Sequence, residues 1–313
     1  MILVTGATGN VGGEVVRALA REGRPVRALV RAHTEPPMHA VEQAVEQAVG
    51  DLDEPGSLDA ALDGVRGVFL LPGYRDMPGL LDRFRRAGVE RVVLLSSLAA
   101  VSKDTRNAVS QYMIASETAV RESGLAWTFL RPNAFMSNAL RWLPQLRAGD
   151  VVADAFGDVP IASVDPYDIA AVAVRALLDA GHEGRAYPLS GPERLLPAQR
   201  VAVLADVLGR ELRFHALTDE EARADMTGRV PEEYIRAFFS FYSDGTLDES
   251  QIYPTVQEVT GTPPRTFRQW ALAHRTAFTT KPASTAKPAS TAKPTSTAGA
   301  ASAAGQAASQ PAG

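Results

Sequence analysis

The sequence contains no cysteine, which excludes disulfide bonds, thiolate catalysis and zinc–thiolate sites. It also lacks any apolar run near the ~20 residues that a membrane-spanning helix needs. The formal net charge is only −4, with acids and bases interleaved, so there is no basic face for nucleic acid. Met1 leads directly into an apolar segment without the features of a signal peptide. These absences predict a cytoplasmic protein with no metal site, no nucleic-acid partner and no membrane partner.

The end of the chain, residues 279–313, lacks large apolar side chains. A hexapeptide that begins at Lys281 recurs at Lys287 and, with one change, at Lys293. Such a segment buries too little apolar surface to offset the entropy that is lost on ordering. The composition therefore predicts a disordered tail, and a spacer or an interaction arm is the alternative role.

The preceding residues alternate short apolar runs with amphipathic stretches, which is typical of βαβ units around a parallel sheet. Strands are predicted over 2–5, 26–30, 67–71, 91–95, 127–130 and 185–189, and helices over 11–21, 77–87, 108–123 and 166–178. The segment VEQA occurs at both 41–44 and 45–48, and the second copy is predicted as a strand because Gly50-Asp51 follows it.

The later segments 197–208, 218–225, 231–242, 251–260 and 264–277 are predicted to be mainly helical. The predicted fold class is α/β, a Rossmann-type doubly wound parallel sheet with a smaller, mostly helical C-terminal substrate lobe. Residues 1–150 form the NADP-binding domain, and 151–278 form the lobe and complete the sheet. Ligands of such sheets bind at the carboxyl ends of the strands.

The most informative segment is Thr5–Gly13, which follows the first strand and precedes the first helix. Its glycines at 6, 9 and 12 would allow a sharp turn, close approach of a pyrophosphate and close packing of the helix on the sheet. The helix N-terminus offers free N–H groups to phosphate. Glycines also mark ordinary turns, but a strand before and a helix after the trio favour a dinucleotide site.

The second strand ends at Val30-Arg31, where NAD-binding proteins place an acid that binds the ribose. Arg31 can instead pair with the 2′-phosphate of NADP, which favours NADP(H) as coenzyme. A solvated surface arginine is the alternative, and His33 could assist.

These residues resemble the NmrA-like group of atypical short-chain dehydrogenase/reductases, which includes NADPH-dependent quinone reductases and redox-sensing regulators. The resemblance extends over most of residues 1–275. Its landmarks are Gly6-Ala-Thr-Gly-Asn-Val-Gly12, Leu29-Val-Arg31, Gly50-Asp-Leu52, Ser57-Leu58, Gly67–Leu71, Val92–Ser97, Glu117, Ser123-Gly-Leu125, Thr128–Pro132, Phe135-Met136, Asn138 and Asp165–Ala170.

The resemblance implies a set of coenzyme contacts along the carboxyl ends of the strands. The implied residues are Gly6, Thr8, Gly9, Asn10, Val11, Gly12, Arg31, Asp51, Leu52, Leu71, Pro72, Gly73, Ser96, Ser97, Met113, Pro132, Asn133 and Phe135. Asp51 and Leu52 would lie by the adenine, Ser96 and Ser97 by the nicotinamide ribose, and 132–135 by the nicotinamide. A local cap is the alternative for Asp51, and core packing is the alternative for Phe135. Asp168 is expected to hold the lobe junction.

The sequence departs from the Tyr-x-x-x-Lys pair of short-chain reductases, in which lysine lowers the tyrosine pKa and the phenol protonates a carbonyl oxygen. Here Tyr112 is followed four residues later by Ser116. Met113 stands where many relatives have lysine or histidine four residues before the glutamate. Tyr112 is therefore a weak candidate for the acid, and Lys103 is expected to be solvated.

An NADPH-dependent oxidoreductase of a quinone-like or other aromatic small molecule fits this departure, because the reduced oxygen of a quinone is a stabilised phenolate. Candidate aromatics for a flat substrate are Phe135, Trp142, Phe238, Phe239, Phe241 and Tyr242, with core packing as the alternative. A non-catalytic NADP(H) sensor and a biosynthetic enzyme that modifies or couples an aromatic intermediate are the other hypotheses. A homodimer is compatible with the sequence.

Deletion of residues 280–313 should leave both the melting temperature and the NADPH affinity unchanged, because the tail has nothing to bury. Thermal unfolding and coenzyme titration of the full and truncated chains would check this. A loss of several degrees would mean that the tail docks on the folded domain.

Overall fold

The computed structural model describes residues 1–31 and 45–279, and its centre is a parallel sheet. The strand order is β3-β2-β1-β4-β5-β6-β8, which is the doubly wound arrangement predicted above. The strands are β1 Ile2–Val4, β2 Val26–Val30, β3 Val45–Val49, β4 Gly67–Leu70, β5 Arg91–Leu95, β6 Ala126–Pro132, β7 Val151–Asp154, β8 Arg185–Leu189 and β9 Arg213–Ala216.

Helices cover both faces of this sheet. They are α1 Asn10–Arg21, α2 Asp59–Leu62, α3 Met77–Arg86, α4 Ala108–Glu122, α5 Leu143–Ala148, α6 Pro166–Leu178, α7 Pro197–Leu208, α8 Asp219–Met226, α9 Glu232–Tyr242, α10 Thr255–Thr260, α11 Phe267–Ala273 and α12 Arg275–Thr279. The helices predicted over 11–21, 77–87, 108–123 and 166–178 are thereby confirmed within two residues. None of the helices in residues 1–31 and 45–279 is long and apolar enough to cross a membrane.

The two faces of the sheet bury alternate residues of each strand, as the period of two requires. Ile2 and Val4 pack with α1 and α6 on one face, whereas Leu3 packs with α3 on the other. β5 divides in the same way, with Val93 and Leu95 on the first face and Val92 and Leu94 on the second.

The C-terminal region differs from the prediction in two places. β7 and β9 pair in parallel as a separate two-stranded sheet, and neither strand was predicted, because each is only four residues long and β9 is mostly exposed. The predicted helix over 251–260 begins only at Thr255, and that over 264–277 is divided into α11 and α12 at His274. Pro254 directly precedes the first of these helices, so the extended residues before it follow from its fixed φ.

The second VEQA copy is the predicted strand, β3. The first copy at 41–44, His33 and the tail residues 280–313 lie outside the described residues. Thr279, where the tail was predicted to begin, is the last residue of α12.

Two carboxylates at the start of α6 hold the segment before α11 against the sheet domain. Asp165 caps α6 by accepting the backbone N–H of Tyr167 at 2.9 Å. Asp168, only 4% exposed, accepts the backbone N–H of Arg265 at 2.7 Å and so joins α6 to the segment before α11, while its role at the lobe junction stays a prediction. Burial raises the pKa of Asp168 to about 7, with a smaller contribution from the charge of Asp165.

Asp168→Asn should flatten the pH dependence of unfolding. The folded pKa lies above the unfolded value of about 3.9, so the stability contribution of Asp168 is complete below pH 4 and is lost as the pH rises through 7. Between pH 4 and 7, the free energy of unfolding of the wild type should therefore fall by on the order of 2–4 kcal/mol relative to that of Asp168→Asn. Urea unfolding across this range would measure the difference, with the exposed Asp63→Asn as control; parallel curves for wild type and Asp168→Asn would contradict it.

Candidate functional site

The glycine loop between β1 and α1 is built from close backbone approaches. Gly6 has φ +60°, a left-handed conformation that favours glycine, and its carbonyl accepts the N–H of Gly9 at 2.9 Å. A Cβ on Gly12 would lie 2.2 Å from the Gly6 oxygen, so α1 could not begin here with any side chain at 12. The predicted roles of the turn and packing glycines thus have a geometric basis.

Outward from this loop, Thr8 and Asn10 are exposed, whereas Val11 is buried in the core. Of these three, Val11 can therefore reach a ligand only through its backbone. A cleft of about 240 Å³ runs along the loop and the first turns of α1. Its opposite wall consists of Ser137, Asp165, Pro166 and His274.

That cleft contains the glycine loop but not the remaining predicted contacts, which lie along the strand ends. Arg31 is exposed directly after β2. Asp51 uses one carboxylate oxygen to accept the backbone N–H of Asp53 at 2.9 Å, which is the local cap given as its alternative role. Leu52 is buried in the core.

Tyr74, which sequence reasoning missed, lies in the same region. Burial raises its pKa, and the charges of Asp53, Arg31 and Asp51 all act on it. These groups therefore border one space beyond β2 and β4. Its position three residues after the predicted Leu71 was the only signal that could have identified it.

The loop after β4 is fastened at two points. Leu71 donates its N–H to Thr5 Oγ1 at 3.0 Å, and Gly73, at φ +87°, donates its N–H to Ser116 Oγ at 3.0 Å. Pro72, between them, is buried. Ser116 stands where the Tyr-x-x-x-Lys pair of short-chain reductases has its lysine. In this chain the side chain at that position holds the loop after β4 and does not lower the pKa of a tyrosine.

Ser96 and Ser97 follow β5, and both hydroxyls have protein partners. Ser96, 3% exposed, donates to Glu117 Oε1 at 2.7 Å. Glu117 in turn accepts two hydrogen bonds from Arg131, at 2.8 and 2.6 Å. Ser97 Oγ accepts the N–H of Ala99 at 3.1 Å. The Ser96 hydroxyl can therefore accept a hydrogen bond from a ligand, while its proton is engaged by Glu117.

Pro132 ends β6, and Asn133 fastens the loop that follows. Asn133 is 1% exposed and donates from Nδ2 to the carbonyls of Glu249 at 2.8 Å and Ala162 at 3.2 Å. Its Oδ1 has no partner among the described residues. Phe135 is partly buried against the core, which was its alternative reading.

Tyr112 and Met113 face α9 of the lobe. Met113 is buried with Tyr234, Ala237 and Phe241 of that helix, and Tyr112 packs at the edge of the same cluster. Burial raises the pKa of Tyr112, and no cation among residues 1–31 and 45–279 lowers it. A phenol with a raised pKa is a weaker acid, so the surroundings of Tyr112 do not activate it as a proton donor. Among the candidate substrate aromatics, Trp142, Phe239 and Phe241 are core residues.

The predicted residues fit an extended dinucleotide. Arg31 at β2 and Asn133 at β6 are four strand spacings apart in the sheet order, which is about 19 Å. Between them lie the glycine loop and the ends of β4 and β5. Arg31 would hold the adenosine phosphate, and 132–135 would border the nicotinamide. These individual contacts stay predictions.

The fold and the glycine loop define a nucleotide-binding Rossmann protein, and comparisons with known proteins agree. The NAD(P)H-binding family model matches residues 6–180. The (4-alkanoyl-5-oxo-2,5-dihydrofuran-3-yl)methyl phosphate reductase of Streptomyces griseus is 43% identical over 89% of this chain and 99% of its own length. The NAD(P)H azoreductase of Xenophilus azovorans is 39% identical over the same shares.

The NADPH-dependent quinone oxidoreductase of Escherichia coli, solved in complex with NADPH, matches with a TM-score of 0.70 and 25% identity. The match covers 88% of this chain and 99% of that protein. The chain therefore belongs to the NAD(P)H-binding family, and its predicted place among the NmrA-like atypical short-chain dehydrogenase/reductases is confirmed. It is an NAD(P)H-dependent oxidoreductase.

Arg31→Ala should weaken NADPH binding by on the order of 1–3 kcal/mol, the size of one charge-assisted contact, and should leave NADH binding nearly unchanged. Calorimetric titration of both coenzymes would measure this. Arg24→Ala, in the exposed turn before β2, is the matched control and should change neither affinity. Equal losses for both coenzymes in Arg31→Ala would remove the basis for NADP preference.

Proposed function

We propose that this protein is an NADPH-dependent reductase of a quinone-like or other conjugated aromatic small molecule. This proposal rests on one combination of features: the glycine loop that can bind a dinucleotide is intact, but no cation among the described residues lowers the pKa of Tyr112, the candidate proton donor. Ser116 holds Gly73 in place of a catalytic lysine, and Tyr112 is packed beneath α9. When bound, NADPH supplies the hydride.

The residues of this chain would bind the coenzyme, orient it against the acceptor and exclude water from the site. The glycine loop and Arg31 hold the two ends of the coenzyme's phosphate-bearing half. Ser96, held by Glu117, and Asn133, held by the carbonyls of Glu249 and Ala162, fix the loops after β5 and β6 at the other end. The apolar side chains of α9 pack on Met113 of α4 and would limit the access of water from that side.

The acceptor should carry its new negative charge without immediate protonation. A quinone meets this condition, because its reduced oxygen is a stabilised phenolate, whereas the alkoxide of a simple ketone would need an acid in the transition state. The relatives' names describe a quinone, an azo compound and an oxo-dihydrofuran. All three place the unsaturated bond in conjugation, which supports the proposed class of acceptor.

A cytoplasmic location and a homodimeric assembly stay predictions. The domain division into 1–150 and 151–278 is part of the proposal, with the acceptor bound between the strand ends and α9.

Tyr112→Phe should reduce turnover of 1,4-naphthoquinone less than tenfold, because the reduced oxygen leaves as a stabilised anion and the phenol is not tuned. Steady-state oxidation of NADPH would measure it. Wild type should show negligible activity with cyclohexanone, which serves as the ketone control.

A thousandfold loss in Tyr112→Phe would identify the tyrosine as the acid and contradict the proposal. If NADPH bound tightly but a broad panel of quinones and azo compounds gave no oxidation, a coenzyme-sensing role would replace the enzymatic one.

A further inference from the structure

A group of charged and polar side chains lies beside the loop that follows β6. We call it the Arg200 cluster. It comprises Arg141, Trp142, Asp154, Arg200, Tyr242 and Glu249. The six residues come from five separate parts of the chain, so the sequence alone could not show that they lie together.

Both carboxylates of the Arg200 cluster already have partners. Asp154 forms an ion pair with Arg141 and accepts the indole N–H of Trp142 at 2.8 Å. Glu249, 6% exposed, accepts the Tyr242 hydroxyl at 2.7 Å. Burial raises the pKa of Glu249 to about 7, so near neutral pH it is only partly ionised.

Arg200 is the second cation of the cluster, and Asp154 already pairs with the first, Arg141. Arg200 is 4% exposed, and its Nε has no hydrogen-bond partner within residues 1–31 and 45–279. Its guanidinium lies 5.6 Å from the centre of the Trp142 ring. Burial and the charge of Arg141 lower the Arg200 pKa to about 10, against the opposing charges of Asp154, Tyr242 and Glu249, so the group is still a cation at neutral pH.

A buried guanidinium whose Nε–H has no acceptor is unfavourable, and removal of a buried charge can stabilise a protein. An arginine that stays buried in this state therefore indicates a missing anion. The planar guanidinium offers paired N–H donors that match a phosphate or carboxylate, and the Trp142 ring limits the directions from which such a group can approach.

The position of the cluster assigns this anion to the acceptor rather than to the coenzyme. The carbonyl of Glu249 accepts Asn133 Nδ2, which connects the cluster to the loop predicted to border the nicotinamide. The coenzyme's 2′-phosphate is assigned to Arg31 after β2, and β2 lies four strand spacings or about 19 Å along the sheet from β6, which precedes the Asn133 loop.

We propose that Arg200 is a specificity-determining residue that binds an anionic substituent, such as a phosphate ester or a carboxylate, on the molecule that this protein reduces. The identity of that molecule as a substrate rests on the proposed function, whereas the binding of the anion does not. A neutral compound of the same ring system should bind without help from Arg200.

The first test is direct binding to the full-length protein saturated with NADP⁺, which occupies the coenzyme's own phosphate sites. In calorimetry, Arg200→Met should weaken binding of 2-naphthyl phosphate about 10- to 100-fold, and Arg200→Lys should lose less, because it keeps the charge. Binding of 2-naphthol should not change. Arg194→Met, an exposed arginine six residues upstream, is the matched control.

The second test is turnover. Arg200→Met should lower kcat/KM for 1,4-naphthoquinone-2-sulfonate about tenfold or more, through KM, and change that for 1,4-naphthoquinone less than threefold. If neither quinone is reduced, the proposed function fails, and the calorimetric test still decides the role of Arg200.

The melting temperature separates ligand binding from a structural role. Arg200→Met should keep or raise it, because an unpaired buried charge is removed. A loss of several degrees together with unchanged 2-naphthyl phosphate affinity would overturn the proposal. So would equal losses for the charged and the neutral compound in either test.

Discussion

Two adjacent residues of α4 hold the carboxyl ends of three strands. Glu117 accepts the Ser96 hydroxyl from the end of β5 and two hydrogen bonds from Arg131 of β6. Ser116 accepts the Gly73 N–H from the loop after β4. The strand ends at which a coenzyme is predicted to bind thus depend on one buried carboxylate and its neighbouring hydroxyl. Removal of a partner from such a buried ion pair is strongly destabilising, so this part of the sheet has little freedom to vary.

The same arrangement accounts for the chemistry that the protein lacks. A lysine at 116 could not serve the Gly73 N–H, since an ammonium group has no acceptor. The residue at 116 can therefore either hold the loop after β4 through the Gly73 N–H or serve as the lysine of the Tyr-x-x-x-Lys pair, but not both. The protein has the first, and an acceptor that tolerates a developing charge is the chemistry that remains available to it.

The sheet was predictable because its signals are local. The short apolar runs of the strands, the amphipathic stretches between them, and the glycines at 6, 9 and 12 each act over a few residues. The predicted strands from β1 to β6 and β8 accordingly have nearly the bounds of the structure.

The parts that were not predicted depend on contacts between distant segments. β7 and β9 are short, and among the described strands each pairs only with the other. The partners of Ser96, Asn133 and Arg200 lie on other elements, so no local pattern reveals which polar atoms are engaged. Tyr74 and Glu249 were missed for the same reason, since their neighbours come from elsewhere in the chain.

The pairing of β7 with β9 has a consequence for the order of folding. Val151 lies opposite Arg213, so about sixty residues must be gathered before the first contact of that small sheet forms. The pairs β1–β2 and β4–β5 join segments much closer in the chain, with Ile2 opposite Val26 and Gly67 opposite Arg91, whereas β1 and β4 pair across a similar distance, with Ile2 opposite Gly67. Closure of a longer loop costs more entropy, so the β1–β2 and β4–β5 pairs should form before β1 joins β4 and before the small sheet of β7 and β9 closes.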